Sequence, residues 1–152
     1  TEGPLSTLEA LRDQATSSSL LSVQTDRPRA RIRVDELSIS VRSESAGFLY
    51  LFTANSDGKT LDLIFPNAIA PDNEIGPGAW EWPTERLAPL RAGGPPGMTH
   101  FLALRTDAPI HARTRRERDV AGPLLPAGPI IDTLLSGGQY SASRIIAVEE
   151  VR

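Results

Sequence analysis

A chain of 152 residues with 39% hydrophobic residues is the size of one domain and can bury an apolar core without a metal or a disulfide. A net charge of −3 argues against a duplex-binding protein, which needs a strongly basic face, so nucleic acid is not expected as a partner. With no cysteine there is neither disulfide nor thiolate chemistry, and the redox compartment stays open.

No apolar run approaches the roughly 20 residues that cross a bilayer, so the chain is not itself expected to be transmembrane. No signal peptide is visible, and a start at Thr1 is expected of a processed chain or a piece of something longer.

Leu5, Leu8 and Leu11 recur at helical spacing, with Ser6-Thr7 ahead of Glu9 as a capping arrangement. This predicts a short helix over about 6–15, either docked against a sheet or ending a linker; three leucines on one stripe favour docking. Leu21 and Val23 suggest a short strand. Arg31-Ile32-Arg33-Val34 alternates, and so does Leu37 to Arg42, the pattern of antiparallel strands wet on one side. Arg27, Arg29, Arg31 and Arg33 form a basic stripe that reads as a solvated face, with an acidic protein surface as the alternative.

The strongest signal runs from Gly47 to Phe65. Phe48, Tyr50 and Phe52 point one way in an extended strand, Leu49 and Leu51 the other, so both faces need cover. Asp57-Gly58 supplies a reversal, because an Asx side chain bonds its own backbone and glycine accepts positive φ. The partner strand 60–65 places Leu61, Leu63 and Phe65 on one face and Thr60, Asp62 and Ile64 on the other, and Pro66-Asn67 is expected to halt it.

Proline and glycine make 65–83 mostly loop, ending in a short strand at 79–82 that sets Trp80 and Trp82 on one face. The two rings are expected to cap one end of the core with one ring partly exposed, or else to form a platform for a small ligand or glycan. Asp72, Asn73 and Glu74 read as a loop holding its own turns rather than a cation site. Gly93 to Gly97 positions a strand over 98–105, with His100, Leu102 and Leu104 opposite Phe101, Ala103 and Arg105. Residues 106–128 form a long connection containing Arg113, Arg115, Arg116 and Arg118, with neither helix nor strand expected over 122–129. Ile130, Ile131, Leu134 and Leu135 fit a helical stripe stopped by Gly137-Gly138. Residues 144–151 close the chain as a well-buried strand.

The architecture expected is mainly β, an antiparallel sandwich or partly open barrel with one or two short peripheral helices. Residues 1–20 would be an N-terminal helix and linker, and 21–152 a single β-rich domain. His100 and His111 have no serine or carboxylate at telling spacing, and no nucleophile elbow, zinc motif or nucleotide loop occurs. No catalytic, cofactor or metal residue is identified, and enzyme activity is not expected. The candidate interaction surface comprises Asn67, Asp72, Asn73, Trp80, Trp82, Arg113, Arg115 and Arg116.

Ala46-Gly47-Phe48-Leu49-Tyr50-Leu51-Phe52, Asp57-Gly58, Leu63-Ile64-Phe65-Pro66-Asn67, Asp72-Asn73-Glu74-Ile75 and Trp82-Pro83 together resemble the bacterial DUF4384 family. The step Pro95-Pro96-Gly97 into Met98-Thr99-His100-Phe101 is similar too, so the likeness covers about 40–105. Phe48 departs from it, standing where tyrosine is usual. The resemblance implies a β-rich accessory or envelope-associated binding module without an assigned catalytic set, often attached to kinase-like or caspase-like regions. The tail from Gly138 to Val151 resembles members linked to type VI secretion. A protein partner in a secretion system or the envelope is implied, with the periplasm or cell envelope as location and the cytoplasm as the alternative.

Overall fold

The protein is described by a computed structural model that covers residues 3–16, 21–67, 72–84, 87, 89–110, 124–125, 128–137 and 139–152. Strand β5 (Gly47–Ala54) divides the interior. Leu49 and Leu51 enter one apolar cluster, Tyr50 and Phe52 the other, and none of the four is more than 1% exposed. Both faces are covered, as the uninterrupted apolar run demands.

The reversal after β5 forms as the side chains dictate. Asp57 Oδ1 accepts from the backbone N–H of Lys59 at 2.8 Å and of Thr60 at 3.0 Å, and Gly58 sits at φ +70°. These backbone bonds, that of Lys59 first, hold the Asp57 carboxyl below its ordinary range.

β6 (Leu61–Asn67) returns antiparallel to β5, and there the expected alternation fails. Leu51 faces Phe65 and Phe52 faces Leu63, so one extra residue is inserted between them. Beyond this bulge Phe65 joins Ile64 in the first cluster, while Leu61 and Leu63 stay with the second. Nor does Pro66 halt the strand: β6 runs on to Asn67, which pairs with Leu124 of β11 (Leu124–Leu125), a strand inside the stretch expected to have none. That pairing is itself irregular, which suits a residue with no N–H to give.

The large sheet has the order β11-β6-β5-β10-β13-β2, where β10 is Gly97–Thr106, β13 is Ile146–Val151 and β2 is Arg29–Arg31. Two short strands add to it, β7 (Glu74–Ile75) on β5 and β12 (Ser141–Ala142) on β10. The pairs are antiparallel except β13 with β2, which run parallel, and the sheet does not close into a barrel. β13 is less buried than its sequence suggested: Ala147, on the face opposite Val148, is exposed.

A three-stranded sheet, β1 (Leu21–Thr25), β4 (Ile39–Ser43) and β8 (Gly78–Trp82), covers one face of the large sheet. Leu21, Val23, Ile39, Val41 and Trp82 meet Leu49, Leu51, Phe101 and Ala103 there. Helices α1 (Pro4–Asp13) and α2 (Gly128–Leu135) cover the other face, through Leu8, Leu11, Ile130 and Leu134. Three layers result: small sheet, large sheet, helices.

α1 starts earlier than expected. Pro4 occupies the first turn, where its missing N–H is harmless, and Gly3 caps without a side-chain bond. Thr7, expected as part of the cap, instead gives both its N–H and its hydroxyl to Gly3 O. Leu8 and Leu11 are fully buried, so the helix is docked.

The strand expected over 31–34 is a turn. Asp35 Oδ2 accepts from Arg31 N–H at 2.8 Å, Arg31 O accepts from Val34 and Asp35 N–H, and Arg33 takes φ +64°. A carboxylate four residues on competes with the ladder for the backbone and wins. The turn leads into β3 (Glu36–Leu37), which pairs with β9 (Leu90–Arg91) as a small flap over the first cluster. Three of the four stripe arginines are ion-paired: Arg27 and Arg31 with Asp35, Arg29 with Glu149.

Candidate functional site

β8 pairs with β4 on one side, with Val41 facing Trp80 and Ile39 facing Trp82. Among the described residues its other side has no strand partner. Both indoles turn inward onto Phe65. Trp80 lies 4.7 Å from the Phe65 ring, and the two indoles are 6.2 Å apart at 85°. Trp82 is 5% exposed and Trp80 only half-buried, although β4 lies beside both.

Rings set edge to face against a core do not make a flat stacking platform. An open groove of about 450 Å³ does lie at the end of the small sheet, bordered by Gln24, Asp26, Ser40, Glu81 and Trp82. Six of its nine lining residues are polar, and Trp80 is not part of it.

The three polar members of the candidate surface separate. Asn67 is buried and donates from Nδ2 to Ile64 O at 2.9 Å, across the bulge. Asn73 is buried too: its Nδ2 donates to Leu49 O and its own carbonyl accepts from Leu49 N–H, both at 2.9 Å. It extends the ladder that β7 begins, so part of the expected loop 65–83 is sheet. Asp72 is exposed and accepts from Glu74 N–H in a local turn. Asn67 and Asn73 therefore spend these amides on backbone, and of the three only Asp72 faces solvent. Arg113, Arg115 and Arg116, like His111, lie outside the described residues.

His100 borders a separate groove beside the start of α1, together with Ser6, Asn55 and Met98. Burial lowers its affinity for a proton below the ordinary histidine value, and Glu9 opposes that shift. Among the described residues its ring hydrogen bonds to no serine or carboxylate, and no three of His, Asp and Glu gather to hold a metal ion.

Two buried charges escaped the sequence reading. Glu150 of β13 is 7% exposed; its carboxylate accepts from Gly94 N–H at 2.7 Å and from the Thr99 hydroxyl. Arg105 of β10 is 9% exposed and lies across Gly47, giving Nε–H and Nη2–H to Ala46 O and Nη2–H to Asp107 Oδ1 at 2.6 Å. The signal was present: each is the charged member of an otherwise apolar alternating face, after Phe101 and Ala103 in one strand and Val148 in the other.

A mainly-β sandwich of two sheets with a helical outer layer, its small-sheet edge marked by a half-covered tryptophan, defines the class of protein. Residues 33–109 match the family described as a domain of unknown function, DUF4384. The chain belongs to that family, whose match takes in the turn at Arg33, the small-sheet strands β4 and β8, and β5, β6 and β10. No curated protein and no solved structure matches. No helix among the described residues is long and apolar enough to cross a membrane.

Proposed function

We propose that the chain is a non-catalytic interaction domain, an accessory part of a secretion-linked, type VI-like, or cell-envelope protein, and that its partner is another protein. The observation that carries this reading is the outer edge of β8, where Trp80 is left half-covered. Beside Trp80, where no described strand pairs with that edge, the backbone offers donors and acceptors, and a partner that adds a segment there also covers the half-buried indole. Aromatic residues at such positions carry much of an interface's binding energy.

The likeness of the tail to secretion-associated members supports the secretion link, and with it a periplasmic or envelope location, the cytoplasm being the alternative. The arginines at 113, 115 and 116 suit an acidic partner surface. The inward, mutually perpendicular indoles weigh against the glycan or small-ligand reading that depends on both rings.

The test is affinity capture from the native host with mass-spectrometric identification, using the wild-type chain, Trp80→Ala and Trp82→Ala at matched folded concentration. Trp80→Ala is expected to lose the specific partner while keeping most of its thermal stability. Trp82→Ala is expected to lose about 3–5 kcal/mol, the cost of emptying a buried tryptophan site. Undiminished capture by Trp80→Ala would move the interface off β8.

A further inference from the structure

A second groove, of about 280 Å³, lies at the opposite end of β10 from Glu150, bordered by Thr16, Ser45, Arg105, Asp107, Gln139 and Ser141. Arg105 supplies its charge, and the guanidinium is held rigidly. Nε and Nη2 both donate to Ala46 O, and only 10% of the side chain is exposed. Its one carboxylate partner among the described residues, Asp107, is by contrast 87% exposed at the groove mouth. Nη1 has no hydrogen-bond partner among the described residues, and neither do the side chains of Thr16 and Gln139.

A fixed planar fork with a free arm is the arrangement that recognises carboxylate by two parallel N–H donors. Asp107 engages one Nη2 donor and leaves the Nη1 side open. Because Asp107 is almost wholly in water, it loses little by swinging out, since exposed pairs contribute weakly.

We propose that this groove binds a carboxylate, which displaces Asp107 and bridges Nη1 and Nη2 of Arg105, with Thr16 and Gln139 as further donors. Asp107 then acts as an internal competitor that occupies the site when no ligand is present. No step of this binding involves the edge of β8.

The test is titration of the full ¹⁵N-labelled chain by NMR with sodium acetate and, separately, with a terminally blocked di-glutamate peptide. Sodium chloride at equal ionic strength is the control. Saturable shifts are expected at the amides of 45–46, 105–107 and 139–141 with a carboxylate but not with chloride. Asp107→Asn is expected to tighten binding about two- to fivefold by removing the competitor, and Arg105→Lys to weaken it about tenfold or more by removing the fork. Tighter binding of the peptide than of acetate identifies a peptide-borne carboxylate; equal affinity per carboxylate identifies a free one. Should Arg105→Lys fail to fold, Asp107→Asn decides alone, because its side chain is already in solvent. Shifts that match chloride, or none in either the wild type or Asp107→Asn, would overturn the proposal.

Discussion

Gly47→Ala tests the packing at the start of β5. A Cβ on Gly47 would lie 2.6 Å from Arg105 Nε, 2.6 Å from Thr106 O and 3.0 Å from Arg105 Cγ. Both of the nearest distances are well inside van der Waals contact, and one of the two atoms is backbone in the centre of the large sheet, which cannot give way alone. Overpacking of this kind costs about 1–3 kcal/mol. If Arg105 is pushed off Ala46 O, the loss of charge-assisted hydrogen bonds adds about 1.5–3 kcal/mol. The expected loss is thus about 1–3 kcal/mol if Arg105 keeps its bonds and about 2.5–6 kcal/mol if it is displaced, read as a shift of urea midpoint at constant slope. In a chain of this length each kcal/mol corresponds to about 2–4 °C in Tm. The double variant separates the causes. In an Arg105→Ala background the clashes with Nε and Cγ vanish while that with Thr106 O stays, so Gly47→Ala should cost less there by about 1 kcal/mol or more. A Gly47→Ala chain within about 0.5 kcal/mol of wild type would refute the reasoning.

Tyr140→Phe removes the hydroxyl that donates to Leu11 O at 2.5 Å in the buried layer beneath α1; a loss of about 1–3 kcal/mol is expected, with faster amide exchange confined first to the last turn of α1. The same phenol is raised above the usual tyrosine value by burial, so the unfolded chain ionises first and stability should fall as pH rises past about 10. His100 has the opposite sign to a paired histidine: its folded value is lowered by burial, so the unfolded state takes up a proton first. Stability should therefore decline as pH drops below about 6.5, and His100→Gln should flatten that part of the stability-against-pH curve. An unchanged slope in the variant would assign the pH dependence to other groups.

How far the fold was legible depended on whether a feature was periodic or local. The two-sidedness of β5, the Asp57-Gly58 reversal and the apolar stripes of α1 and α2 are periodic or turn-encoded, and each appears where its residues put it. The bulge at Ile64 is a one-residue insertion that shows only against its partner strand, so reading β6 alone placed Phe65 on the wrong face. The turn at Arg33 was hidden for a related reason, since Asp35 decides it with a side-chain bond that an alternation count does not weigh. β7 has two residues, too few for any period, and is completed by the amide of Asn73 standing in for backbone. At the candidate surface, the shared face of Trp80 and Trp82 was readable. Which ring is buried was not, because strand alternation gives the two rings the same face and β4 pairs beside both.

The buried charges show why apolar alternation alone under-determines this sheet. β10 pairs with β13 so that Thr99 faces Val148 and Gly97 faces Glu150. A one-residue slip would turn Glu150 to the other face, and a two-residue slide would keep its face but carry the carboxylate away from Gly94 N–H and Thr99. Hydrophobic residues tolerate such a slide, since one leucine or valine covers nearly the same area as the next. A carboxylate left buried without its donors does not, at a cost of about 3–5 kcal/mol. Arg105 imposes the same condition at the other end of β10, where it reaches over Gly47 to Ala46 O, just ahead of the neighbouring strand β5. Register at the centre of the fold is thus set by two charged groups at opposite ends of one strand, and the apolar clusters between them supply the stability that holding those groups in place draws on.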